Sequence, residues 1–343
     1  MTTPLPVALI GAGRMGGVHA RLLGRIPECR VVAVVDGDLG RAREVAEPLG
    51  AQPLRDAAEL GDSREVPAVV VSTPVATHAP LALQAIEAGR ALFVEKPLAD
   101  TLRAAREVAQ AARRHGAPVQ VGYQRRYDAP YVEARRRIDA GELGRLEGFR
   151  GIGRDPAPPP LDYLIGSGDL LVDMGGHDLD SARFLVGEVA RVHAIGGALA
   201  LPELAEHGLC DTAVATLQFE NGAVGTLEVG LRTAYGYEIR AEVLGEHGRL
   251  HVEVDRRPAL TRYDAGGGRF DRPRDFLERF ESAYQAELAA FVRGVRRGEP
   301  LTPDADDACK SLRLALAAQY ALDHDRPVEV ASFEDDTRED STP

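Results

Sequence analysis

The chain has 343 residues and a net charge of −12, with 44% hydrophobic and 27% charged residues. That length exceeds what a single hydrophobic core covers, so two domains are expected, and the mix is that of a folded chain. The acidic balance, without any Lys/Arg block interleaved with aromatics, argues against a nucleic-acid partner.

Along the chain, Met1 to Pro6 lacks the basic stretch and apolar run of a signal peptide. No apolar run of about 18 residues follows, so no membrane span is expected. From Pro6 to about Tyr123, short Val-rich runs alternate with helical stretches. Val7–Ile10, Arg30–Val35, Ala68–Ser72, Ala91–Val94 and Pro118–Gly122 read as buried parallel strands. Ala79–Ala88 and Leu102–Arg114 read as helices stopped by Gly89 and Gly116. Strand–helix alternation predicts an α/β fold with a doubly wound parallel sheet over residues 1–123. After Tyr123 the register changes. Asp155 to Pro160 must be loop, and a helix is predicted from Gly168 to Leu185. Val189–Gly196, Asp211–Phe219, Ala223–Leu231, Tyr237–Leu244 and Arg249–Val254 alternate like strands, with Asn221-Gly222 as a hairpin turn. Gly245 to Gly248 reads as a second tight turn. This predicts a largely antiparallel sheet in a second domain, residues 124–333, closed by helices at Phe276–Arg293 and Asp304–Leu322. Residues 334–343 read as an acidic frayed tail. Cys29, Cys210 and Cys309 form no CxxC pair, so no metal site is expected and a reducing cytoplasm fits.

Gly11-Ala12-Gly13-Arg14-Met15-Gly16 stands between the first strand and a helix over Met15–Leu23. In that context Gly11 permits a tight turn, Gly13 the approach of a pyrophosphate, and Gly16 close helix–strand packing. The helix N-terminus offers free N–H groups to phosphates. Asp36 ends the second strand, about 20 residues on, where a carboxylate accepts hydrogen bonds from ribose hydroxyls and repels a 2′-phosphate. NAD is therefore expected over NADP, although Arg41 and Arg43 follow.

Oxidising a secondary alcohol needs a base for the hydroxyl proton and a group that stabilises the developing alkoxide. Lys96, in Glu95-Lys96-Pro97 just past a strand, suits the second role, and a cis Pro97 would fix its direction. The competing reading is a surface lysine before a turn. On one continuous helix Asp173, His177 and Asp180 would share a face. His177, with an unperturbed pKa near ~6.5, suits the base, and Asp173 can orient it or bind a substrate hydroxyl. Gly175 and Gly176 weaken that helix, which is tolerable where a ligand approaches bare backbone. An exposed polar face with one histidine is the alternative. Arg125, Arg126, Asp155, Tyr235 and Tyr237 are weaker candidates.

Together these motifs resemble the glucose–fructose oxidoreductase/inositol dehydrogenase (Gfo/Idh/MocA) family from about Leu5 to Val330. The parts are GAGRMG with His19, Ser72-Thr73-Pro74-Val75-Ala76-Thr77-His78, Glu95-Lys96-Pro97 and the Asp173/His177 stretch. Within the family the chain resembles inositol 2-dehydrogenases, in Gln124 to Asp128, Arg154 to Pro159, Ser167-Gly168, Ala234 to Tyr237 and Phe276 to Phe280. Asp169, Gly175-Gly176 and Leu231-Arg232-Thr233 depart from that pattern. The resemblance implies a Rossmann domain and a C-terminal α/β domain whose open sheet serves oligomerisation, as a tetramer or dimer. It implies NAD held by Gly11, Gly13, Arg14, Met15, Asp36, Ser72, Thr73, Pro74, His78, Glu95 and Lys96. It implies Lys96, Asp173 and His177 as the catalytic set, with Arg126, Asp155, Asp180 and Tyr235 also near a small polyol or sugar. The implied reaction is oxidation of myo- or scyllo-inositol to an inosose. Still open are an aldose, amino-cyclitol or secondary-metabolite sugar as substrate, NAD-assisted glycoside hydrolysis, and a non-catalytic NAD-bound regulator.

Overall fold

A computed structural model describes residues 3–167, 169–253 and 260–335. The chain divides into two units: residues 1–124 with 282–310 and 335–343, and residues 125–281 with 311–334.

The first unit is built on six parallel strands: β1 (Leu5–Ile10), β2 (Cys29–Val35), β3 (Gln52–Leu54), β4 (Ala68–Val71), β5 (Ala91–Glu95) and β6 (Val119–Gly122). Their order, β3-β2-β1-β4-β5-β6, is that of a Rossmann sheet, with its switch point between β1 and β4. Helices α1 (Arg14–Leu23), α2 (Leu39–Ala46), α3 (His78–Glu87) and α4 (Leu102–His115) connect them. β4 is buried at every position, which explains its unbroken Ala-Val-Val-Val run. β3 is three residues long and carries Pro53, too little pattern to be read from sequence.

The second unit contains α5 (Ala129–Asp139), β7 (Leu146–Arg154), α6 (Leu161–Ser167), α7 (Leu170–Asp173), α8 (Gly175–Val186), β8 (Val189–Gly197), β9 (Thr212–Phe219), β10 (Val224–Gly230), β11 (Glu238–Gly245) and β12 (Gly248–Glu253). A small exposed hairpin, β13 (Arg262–Asp264) and β14 (Gly267–Arg269), follows. The chain ends through α9 (Phe276–Arg297), α10 (Ala305–His324) and β15 (Val328–Glu329). The large sheet runs β12-β11-β7-β10-β9-β8-β15. Only β7 and β10 pair in parallel; the other neighbours are antiparallel. β9 alternates buried and exposed residues along its length, so one face of the sheet meets the core and the other lies open. Gly222 closes the β9–β10 hairpin at φ +89°, a conformation that favours glycine.

Two expectations need correction. The helix expected from Gly168 to Leu185 is two helices, α7 and α8, divided at Met174. Gly175 and Gly176, poor helix formers, follow that break. Asp173 therefore closes one helix while His177 and Asp180 lie on the next. Secondly, the second domain is not continuous to residue 333, because Ser282–Lys310 belongs to the first unit. There Phe291 meets Phe93 edge-on and the Val121 N–H donates to the Pro303 carbonyl. β7, for which the sequence pattern offered no strand, lies in the interior of the large sheet. Gly168, Val254 and residues 336–343 of the expected tail lie outside the described residues.

Candidate active site

In the first unit the Gly11–Gly16 loop leaves β1 at the switch point. Gly11 has φ +98°, and a Cβ there would come within 2.7 Å of the Ser72 carbonyl oxygen. A Cβ on Gly16 would strike the Gly11 carbonyl at 2.0 Å, whereas one on Gly13 would meet open space. Two glycines thus let α1 pack on β1 and β4, and the third leaves room above the helix N-terminus. Gly13 caps α1 without a side-chain bond, and no acidic residue occupies the first turn. Unmet N–H groups and the helix dipole therefore suit a pyrophosphate.

Asp36 faces this loop. Its Oδ2 accepts the Ala12 N–H at 2.8 Å, and its Oδ1 accepts the Asp38 N–H and the Arg41 guanidinium, each at 2.9 Å. Burial alone would raise the carboxyl, but these donors outweigh it and hold Asp36 below the usual carboxylate range. The carboxylate is charged and oriented, with acceptor capacity left for ribose hydroxyls. Arg41, which followed in sequence as a conceivable phosphate binder, is instead tied to Asp36.

Ser72 is buried, and its hydroxyl donates to the Gly11 carbonyl at 3.2 Å. The Thr77 hydroxyl lies 2.7 Å from that of Thr73, fixing the turn through Pro74. The His78 ring lies between two carbonyls, Pro97 O at 2.7 Å from Nδ1 and Thr73 O at 2.9 Å from Nε2. At 2% exposure it thereby joins the Ser72–His78 turn to the Lys96 turn. The Lys96–Pro97 peptide is cis. Glu95 holds the buried His19 Nε2 at 2.6 Å through Oε1, and its Oε2 accepts the Lys96 backbone N–H at 3.2 Å. Sequence reading missed that pairing, because the partners stand 76 positions apart.

In the second unit Asp173 and His177 are both part-exposed. A Cβ on Gly176 would meet open space, consistent with close approach of a ligand to the backbone beside His177. The Gln124–Tyr127 turn holds α8 directly after His177. Arg125 pairs with the buried Asp178, and Arg126 makes a two-pronged contact with Asp180 at 2.9 and 2.6 Å. The Ser311 hydroxyl adds a bond to Asp180 at 2.6 Å. Burial holds the Asp178 carboxyl above its ordinary value, and Arg125 offsets this only in part. Burial would likewise depress Arg125, but Asp178 outweighs it and the guanidinium is held above its ordinary value.

Asp155 follows β7, its N–H donating to the Gly230 carbonyl at 2.9 Å. Tyr235 is half exposed. Its hydroxyl donates to Glu238 at 2.6 Å and accepts from Arg154 at 3.1 Å, while Tyr237 is buried. Among the described residues no group of three or more His, Cys, Asp or Glu is placed to hold a metal ion, and no helix is long and apolar enough to cross a membrane.

Comparison with known proteins follows the same division. Residues 5–123 match the model of an oxidoreductase family with an NAD-binding Rossmann fold, and residues 131–251 that of the GFO/IDH/MocA C-terminal domain. A scyllo-inositol 2-dehydrogenase (NAD(+)) of Bacillus subtilis (strain 168) is 36% identical over 327 residues, 94% of this chain and 95% of that protein. A myo-inositol 2-dehydrogenase of Thermotoga maritima is 35% identical over 94% of this chain and 98% of its own length. The crystal structure of a scyllo-inositol dehydrogenase from Lactobacillus casei, with bound NAD(H) and scyllo-inositol, superposes with a TM-score of 0.91 at 28% identity, covering 96% of this chain and 100% of that one.

Proposed function

The chain belongs to the GFO/IDH/MocA family of NAD-binding oxidoreductases, and from that premise we propose that it oxidises a ring hydroxyl of a cyclitol, scyllo- or myo-inositol, to the inosose. NAD, the cofactor of this dehydrogenase, accepts the hydride at its nicotinamide ring. Gly11, Gly13, Arg14, Met15 and the α1 N-terminus hold its phosphates, and Asp36 its adenosine ribose. Ser72, Thr73, Pro74, His78, Glu95 and Lys96 shape the rest of the cofactor cradle.

His177 takes the hydroxyl proton as hydride leaves the same carbon, and Lys96 donates a hydrogen bond to the oxygen as negative charge gathers there. Asp173 orients the imidazole or holds a neighbouring hydroxyl. Arg126, Asp155, Asp180 and Tyr235 complete the polyol-binding set. Arg126 and Asp180 already neutralise one another, and the buried Asp180 serves the set by positioning Arg126. The observation that carries the reading is the holding of α8 by Arg125 and Arg126 through Asp178 and Asp180, directly after His177. The names of the inositol-oxidising relatives support it.

The same reading takes the protein to act in the cytoplasm, in keeping with its free cysteines. It also takes the protein to be a homo-oligomer, a tetramer or dimer, joined through the open face of the large sheet. That face carries Ile195 and Val224, 60% and 62% exposed, and a broad recess of about 690 Å³ lined in part by Thr216, Val224 and Leu244.

The test is a panel of cyclitols, aldoses and amino-cyclitols, with NADH and NADPH formation followed in parallel. NADH formation with scyllo- or myo-inositol, ahead of every aldose and amino-cyclitol, is expected. Exclusive turnover of an aldose or amino-cyclitol would move the reading to a sugar dehydrogenase. Tight NAD binding with no turnover across the panel would indicate the regulator.

A further inference from the structure

A small cavity in the second unit adjoins Asp173. Its walls include Leu164 of α6, Leu231 just after β10, and Leu204, Leu209 and Cys210 from the chain between β8 and β9. It offers room of about 20 Å³ to a water-sized group. One water needs about 10–15 Å³ by that measure, so the niche fits a single group of water or methyl size.

Its chemistry separates those two occupants. A water or hydroxyl requires two to four polar partners. The niche's five leucine side chains, with Leu170 among them, and Met174 supply none. Burial above all, with Asp323, Asp211 and Asp169 adding, pushes the Cys210 thiol up to about 12, so it remains a neutral, weakly polar S–H. Asp173 alone brings a strong acceptor.

The wall is also held in place. The buried Asp211 carboxylate accepts the N–H groups of Leu199, Ala200 and Leu201 at 3.0, 2.8 and 2.7 Å. The Leu209 N–H donates to Leu204, and the Leu231 N–H to the Asp211 carbonyl. A niche fixed in this way discriminates by size and polarity and does not collapse.

We propose that this niche receives a methyl group carried on the polyol, next to the hydroxyl that Asp173 holds, and that the preferred substrates are mono-O-methyl cyclitols. The proposal rests on the cyclitol reading above and on Asp173 touching the substrate. One methyl in a well-fitted apolar pocket is worth roughly 10–200-fold in kcat/KM.

The experiment compares NADH formation from scyllo- and myo-inositol with that from their mono-O-methyl ethers, in the wild-type enzyme and in Leu231→Phe, which fills the niche. At least one methyl ether should exceed its parent by about 10-fold or more in kcat/KM, chiefly through KM. In Leu231→Phe that ratio should fall to about one or below. Parents oxidised as well as or better than every ether by the wild-type enzyme would overturn the inference and leave the cyclitol reading intact. So would a ratio indifferent to Leu231→Phe. Should that variant fail to fold, Leu231→Met narrows the niche less and is judged by the same ratio. No oxidation of any cyclitol, methylated or not, would overturn both.

Discussion

His177 is the residue on which the proposed chemistry turns. Replacing it with Ala should lower kcat by roughly 10²–10⁴ while NAD binding is kept, the usual scale for a lost general base. Steady-state rates and NADH titrations separate the two effects. Asp36 is the residue proposed to set the cofactor. In Asp36→Ser the Arg41 guanidinium loses its closer carboxylate partner, keeps only the longer contact to Asp38 at 3.7 Å, and is freer to meet a 2′-phosphate. The ratio of kcat/KM for NADP to that for NAD should rise, and an unchanged ratio would show that Asp36 does not discriminate. Asp211 bears on stability. Burial works against its charge, but three backbone N–H groups and the Thr212 hydroxyl hold its carboxyl below the ordinary value. Its folded pKa is depressed, so its contribution is present above the unfolded value of about 3.9 and is lost as pH falls through the folded value. Asp211→Asn should flatten the fall in melting temperature below about pH 4.

At the scale of elements, the cofactor half was legible and the substrate half only in part. β1, β2, α1 and the glycine loop follow local rules of periodicity and turn chemistry, so sequence and structure agree within a residue or two. β7 escaped because it reads Leu-Glu-Gly-Phe-Arg-Gly-Ile-Gly-Arg, with no apolar alternation. Its glycines answer to neighbours distant in sequence. A Cβ on Gly153 would lie 2.6 Å from Asp178 Oδ2, and one on Gly151 would crowd Leu227 and Phe149 at 3.1 Å. The same limit hid Arg125–Asp178, Arg126–Asp180 and His19–Glu95, whose partners are 53, 54 and 76 positions apart. The α7–α8 break was signalled by Gly175-Gly176, but a helical period carried through it. The grip of Arg125 on Asp178 is testable at this scale. Arg125→Met leaves a buried carboxylate uncompensated and should cost about 3–5 kcal/mol in denaturant unfolding, whereas adding Asp178→Leu should recover much of it.

For the molecule as a whole, the proposed oligomer makes a separate claim about the open sheet face. Paired charge substitutions, Ile195→Asp with Val224→Glu, should lower the mass found by light scattering after size exclusion. A mass unchanged by them would place the contact elsewhere. The account's central claim is that Lys96 and the His177 base oxidise an inositol with NAD. Its most direct measurement is the rate and product of scyllo-inositol oxidation by the wild-type enzyme, Lys96→Met and His177→Ala, each saturated with NAD. The account predicts one inosose per NADH in the wild-type enzyme and a loss of roughly 10²–10⁴ in either variant. Undiminished inosose formation by both variants, or NADH formed without inosose, would contradict it.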